Sequence, residues 1–137
     1  MGGRFVTAGS MGVPLFAVVL RKGYGLGAQA MTAGSFHAPF FNISWPTGEF
    51  GGMGLEGAVR LGYRREMEAI EDPEERDAFY RKMVDRYYEN GKATNMASFL
   101  EIDAVIDPAE TRHWVTRGLK SLPPMEAKPS RAFIDTW

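Results

Sequence analysis

Of the chain's 16 glycines, 14 fall in residues 1–62, whereas only 6 of its 33 charged residues do. Glycine brings no side chain to pack, and in a helix interior it costs about 1 kcal/mol relative to alanine. A first half so rich in glycine and so poor in charge cannot be a set of free-standing amphipathic helices. It reads as a buried, loop-rich α/β segment whose backbones approach closely. The second half carries most of the charge and reads as solvated amphipathic helices. A chain of 137 residues suffices for one modest domain, burying roughly 68% of its unfolded surface. No internal repeat or low-complexity tract interrupts it.

Apolar patterning places the elements. A strand is expected at about Leu15–Leu20, a short helix from Leu26, and a second strand at about Phe40–Trp45. Pro46-Thr47-Gly48 then breaks the chain. The stretch GGMGLEGAVRLGYRREMEAI predicts one helix starting near Gly54, with Leu55, Ala58, Val59 and Gly62 on one face. Two further starts are explicit: Asp72-Pro73-Glu74-Glu75 and Asp107-Pro108-Ala109-Glu110 each put Asp at N-cap, Pro at N1 and Glu at N3. The first of these helices, Pro73–Tyr88, repeats Phe79, Met83, Tyr87 and Tyr80, Val84, Tyr88 at i, i+4 spacing, and Asn90-Gly91 ends it. That stripe is core or an oligomer contact. The second helix, Pro108–Leu122, stops at Pro123-Pro124, and Ala104-Val105-Ile106 between the two is a short strand. Residues 1–122 form the domain; residues 123–137, rich in Pro and charge, form a mobile or partner-dependent tail.

Composition excludes several classes. A net charge of −1 provides no global field to recruit nucleic acid or an anionic membrane. The absence of cysteine removes disulfides, thiolate metal sites and a cysteine nucleophile. The longest apolar run, Val13–Leu20, is far short of the ~18 residues that a membrane span needs. Arg4, that run and Ala28-Gln29-Ala30 imitate an export signal, but Arg21 and Lys22 fall where export signals avoid positive charge. Val6 occupies the position where a myristoylation signal needs Ser or Thr. The chain is expected to be cytoplasmic.

Candidate chemistry concentrates in RKGYGLGAQAM, residues 21–31. Gly25-Leu26-Gly27-Ala28-Gln29-Ala30 fits the dinucleotide pattern G-x-G-x-x-A after a strand, and Glu49 falls near the place of a ribose-binding acid. Only about nine residues separate Ala30 from the next strand, short for a crossover helix. A second reading is an oxyanion site, because a glycine turn opening a helix aims N–H groups and the positive helix end at one point. The third is a structural turn in which glycine serves only close packing. His37, in a loop entering a strand, and His113, facing out of a helix beside Trp114, are distant from each other and make no metal site. The run EDPEERDAFYRKMVDRYYE reads as a solvated helix face with i, i+4 pairs.

Three separated stretches carry a resemblance: VVLRKGYGLGAQAM, SFHAPFFNISWPTGEFGGMGLEGAVRLGYRRE and AVIDPAETR. In this order and spacing they resemble the C-terminal domain of biotin-dependent acyl-CoA carboxyltransferases, the β subunits of propionyl-CoA and acetyl-CoA carboxylases, over Phe5 to Leu122. The resemblance implies an α/β, crotonase-like superhelix of ββα units, present here as a partial domain with a helical C-terminal half. It implies that the glycine turn is an oxyanion hole for the carbonyl oxygen of biotin. Carboxybiotin then releases carbon dioxide in the site, and the ureido group deprotonates the acyl-CoA α-carbon. The peptide joining Gly27 to Ala28 carries the hole, Tyr24 and Gly25 shape the turn, and Leu26 and Gln29 complete the pocket. Family members often read tyrosine–glycine–glycine–alanine where this chain has Tyr24-Gly25-Leu26-Gly27-Ala28. Ala30 takes the place that varies with acyl-chain preference.

The resemblance also implies partners: a biotin carboxylase and biotin carrier, an acyl-CoA-binding N-terminal carboxyltransferase domain, a short-chain acyl-CoA, and further copies in a homo-oligomer. The carrier signature Ala-Met-Lys-Met is missing, so biotin is expected on a separate protein or domain. The chain begins inside the C-terminal domain and reads as a truncated or split segment, inactive alone. A rival from another class is a non-catalytic interaction or remnant module of the same fold, with the helical half as its contact surface.

Overall fold

A computed structural model describes residues 2–124. Helix α1, Gly2–Ser10, precedes strand β1, Phe16–Val19, and strand β2, Lys22–Tyr24, which leads straight into helix α2, Gly25–Met31. Strands β3, Phe41–Ser44, and β4, Glu49–Gly51, follow, and then helix α3, Leu55–Gly62. The rest comprises α4, Arg64–Ala69; α5, Pro73–Asn90; α6, Ala93–Ser98; β5, Ala104–Val105; a 3-10 turn, Pro108–Glu110; and α7, Thr111–Ser121. The strands expected at Leu15–Leu20, Phe40–Trp45 and Ala104–Ile106 are β1, β3 and β5. From residue 125 onward, the expected tail lies outside the described residues.

Two parallel sheets grow side by side. The larger has the order β1-β3-β5, and the smaller joins β2 to β4. Phe16 pairs with Phe41 and Val19 with Ser44 in the first sheet; Lys22 pairs with Glu49 and Tyr24 with Gly51 in the second. Each strand–strand–helix unit therefore adds one strand to each sheet, which is the ββα progression expected of the fold. The strand period of two divides β3 between two cores. Phe41 and Ile43 join Ile106 beneath Trp114 and Val115 of α7. On the other face Val19 and Val105 pack against Phe50, Ala93 and Ile102.

The first helix of the charged half keeps its expected start, whereas the second, expected from Pro108, opens as the 3-10 turn Pro108–Glu110 and becomes α-helical only at Thr111. The Asp72 carboxylate accepts from the Glu74 N–H at 2.9 Å, and that of Asp107 accepts from the Ala109 N–H at 2.8 Å. The predicted helix over GGMGLEGAVRLGYRREMEAI divides at Tyr63, where φ −108° and ψ 23° leave the helical basin. Gly62 weakens the helix there, and the Tyr63 ring is held edge-on by Phe79 and Tyr87, with centroids 5.9 and 6.2 Å away. The aromatic stripe on α5 thus packs on α3 and Tyr63.

Candidate functional site

The chain enters α2 through a tight bend. Gly25 has φ +56°, and a Cβ built on it would stand 2.6 Å from the Gly52 carbonyl oxygen. Both the sign of φ and the approach of two backbones require glycine. At Gly27, by contrast, a Cβ would meet no atom within 4 Å. The backbone at that point is open.

Tyr24, the residue before α2, offers no side-chain cap to its first turn. The N–H groups of Leu26 and Gly27 are outside the ladder by position, as at any helix start. Donors and the positive helix end therefore converge where the backbone is open, an arrangement suited to an anionic oxygen.

Tyr24 is anchored through its ring. Its hydroxyl donates to Glu49 Oε2 at 2.7 Å, while the Arg21 guanidinium lies 3.4 Å from Glu49 Oε1. Burial first, and the Glu49 carboxylate second, push the phenol's pKa well above its ordinary range, so it remains a protonated donor. Glu49 stands on the two-stranded sheet and is taken up by these contacts. The ribose role of the dinucleotide alternative needs a free acid at the end of the neighbouring strand of the same sheet, so that alternative fails.

Two clefts flank the start of α2. One, of about 810 Å³, runs along β1 and β2 and is closed by Tyr24, Gly27 and Ala28. The other, of about 500 Å³, holds Gly25 and Gln29 against Phe36, Phe50 and Tyr87. Of the predicted residues, Tyr24, Gly27 and Ala28 thus meet in one cleft, and Gly25 and Gln29 face the other. Leu26 is exposed and lines neither. Ala30 is buried on the inner face of α2 and also lines neither. His37 is exposed, with Nε2 3.7 Å from Glu101, and His113 is exposed on α7. Neither histidine reaches the turn clefts. Sequence reasoning missed Glu49 as the anchor of Tyr24, because only the strand register brings the two together.

Residues 6–133 match the model of the carboxyl transferase domain family. The chain is 37% identical over 111 residues to the propionyl-CoA carboxylase carboxyltransferase subunit of Haloferax mediterranei, covering 80% of this chain and 21% of that one. It is 35% identical over 109 residues to the methylmalonyl-CoA carboxyltransferase 12S subunit of Propionibacterium freudenreichii subsp. shermanii, covering 79% and 20%. The chain spans about a fifth of the length of these curated relatives. Among solved structures, a single-chain, multi-domain long-chain acyl-CoA carboxylase superposes with a TM-score of 0.70 at 53% identity, over 83% of this chain and 11% of that one. A hexameric transcarboxylase 12S superposes with a TM-score of 0.75 at 27% identity, over 97% and 26%. The mixed α/β architecture with small parallel sheets is accordingly a crotonase-like partial domain, and the chain belongs to the carboxyl transferase domain family.

Proposed function

We propose that this chain forms the biotin side of a carboxyltransferase site serving a short-chain acyl-CoA. The observation that carries the reading is the start of α2, where a Cβ at Gly27 would meet no atom within 4 Å and both Gly27 and Ala28 line the larger cleft. The Gly27–Ala28 peptide donates to the ureido carbonyl oxygen of biotin, and Tyr24 and Gly25 set the angle at which it does so. A glycine with nothing beside it lets a planar ring approach the backbone, and the 810 Å³ cleft provides the room. When bound, carboxybiotin supplies the carboxyl group and the base that takes the acyl-CoA α-proton. The chain's own residues contribute preorganised N–H donors. Gln29 faces the adjoining cleft, and Ala30 supports α2 from the core side.

Biotin is carried by a separate protein or domain alongside biotin carboxylase. An acyl-CoA-binding carboxyltransferase domain supplies the other half of the site, and the assembly is homo-oligomeric. The test is transfer of label from bicarbonate to propionyl-CoA in the presence of biotin carboxylase and biotin carrier. The chain alone is expected to be silent. A chimera that adds the acyl-CoA-binding domain of a relative is expected to turn over. Transfer by the chain alone refutes the half-site; a folded, carrier-binding chimera without transfer refutes the catalytic reading in favour of a non-catalytic module.

A further inference from the structure

We propose that Glu49 is a positioning residue for the oxyanion turn, holding Tyr24 and, through it, the first peptides of α2. This rests on the reading above for its consequence but on geometry for its substance. Tyr24 is the residue from which α2 departs, and its side chain makes no cap bond to that helix. What holds it is on the other strand. The phenol donates to Glu49 Oε2 at 2.7 Å, a bond to a charged acceptor and so stronger than a neutral one.

Glu49 is itself well fixed. Its N–H donates to the Arg21 carbonyl at 2.7 Å, and its Oε1 faces the Arg21 guanidinium. The carboxylate is 22% exposed, whereas the arginine is 72% exposed, so the ion pair is the weaker partner and the phenol bond the better shielded one. Glu49 opens β4 and Gly51 ends it, and the same short strand runs on to Gly52, whose carbonyl oxygen packs on Gly25. One three-residue strand thus braces the bend twice: by a side chain at its beginning and by backbone just past its end. Removing the carboxylate leaves the Tyr24 ring without its hydrogen-bond anchor, and the Gly25 hinge, which glycine makes permissive, is free to reorient the N–H groups beyond it.

The experiment uses the full chain labelled with ¹⁵N, comparing wild type with Glu49→Ala, Glu49→Gln and Tyr24→Phe. Backbone order parameters at Leu26–Ala28 are expected near ~0.85 in wild type and Glu49→Gln, and toward ~0.6 in Glu49→Ala and Tyr24→Phe, with Phe41–Ser44 unchanged. Free biotin is then titrated, and the two disrupting variants are expected to bind it about tenfold more weakly while Glu49→Gln retains affinity. Order parameters at Leu26–Ala28 that stay at the wild-type value in both disrupting variants overturn the proposal. So does an equal loss across β2 and β4, which marks a purely structural contact. If Glu49→Ala does not fold, Tyr24→Phe, which removes a single hydroxyl, decides. Wild type that ignores biotin while the order parameters respond as expected sinks the oxyanion reading and leaves the positioning role intact.

Discussion

The Gly27–Ala28 peptide carries the donor proposed for the turn, beside the open space at Gly27. Replacing the Gly27–Ala28 amide by an ester deletes this donor while keeping both side chains. In a chimera restoring the acyl-CoA domain, the expected loss is 100- to 1,000-fold in transfer rate, or roughly 3–4 kcal/mol, as for other single oxyanion donors. Carrier affinity and melting temperature serve as controls. His37→Gln is expected to cost far less, because the imidazole is exposed and lies 3.7 Å from Glu101. A near-normal rate for the ester, or a larger loss for His37→Gln, counts against the assignment.

At the scale of elements, two contacts decide how the helices sit. Helix α7 lies on the large sheet through Gly118, where a methyl group would stand 2.8 Å from the Phe41 ring and 3.1 Å from that of Phe16. Those rings are stacked at 4.7 Å and cannot move apart cheaply. Glycine to alanine in a helix normally gains about 1 kcal/mol, but here overpacking is expected to reverse the sign, with Gly118→Ala losing about 1–3 kcal/mol in urea unfolding. A stabilised variant contradicts the packing. Between α3 and α5, the Tyr88 hydroxyl donates to Glu56 at 2.6 Å. This bond is the leading cause that lowers the Glu56 pKa and raises that of Tyr88. A lowered carboxylate contributes stability above its unfolded pKa of about 4.3, and loses it as pH falls through the lower folded value. A raised phenol contributes below its unfolded pKa of about 10, and loses it as pH rises through the higher folded value. Thermal melts of Tyr88→Phe against wild type are therefore expected to differ most between these limits and to converge at both extremes. A constant difference across pH rejects the coupling.

The described residues leave several large apolar side chains in solvent. Leu26, Met31, Leu61, Phe99 and Leu100 are each between 64% and 80% exposed. Strand β1 is an edge of the larger sheet and so presents backbone groups that no neighbouring strand pairs. Patches of this kind mark interaction surfaces. The isolated chain is expected to bind a hydrophobic dye and to sediment with a concentration-dependent mass. A monomer that binds no dye refutes this. Among the described residues no helix is long and apolar enough to cross a membrane.

What the sequence determined by itself is whatever local chemistry settles. Asp72 and Asp107 cap the N–H groups two residues on, so Asp-Pro announces both turns without help from the rest of the chain. The apolar run of Phe40–Trp45 is too short for a buried helix and bounded by prolines, so it reads as a strand. The motifs around Tyr24 and Trp45 were specific enough to carry the family. Tertiary structure alone decided the rest. Strands β2 and β4 are three residues each and have no period to read; they exist because each offers the other a ladder. Six-residue α6 was missed for the same want of signal. The break at Tyr63 follows from rings contributed by α5, and the anchoring of Tyr24 from a carboxylate 25 positions away. Even the division of labour within α2, with Gln29 in a cleft and Ala30 in the core, depends on how the helix rolls against its sheets. Hydrogen bonds between near neighbours are fixed by covalent distance, whereas contacts between distant residues gain their energy only once the intervening chain has closed.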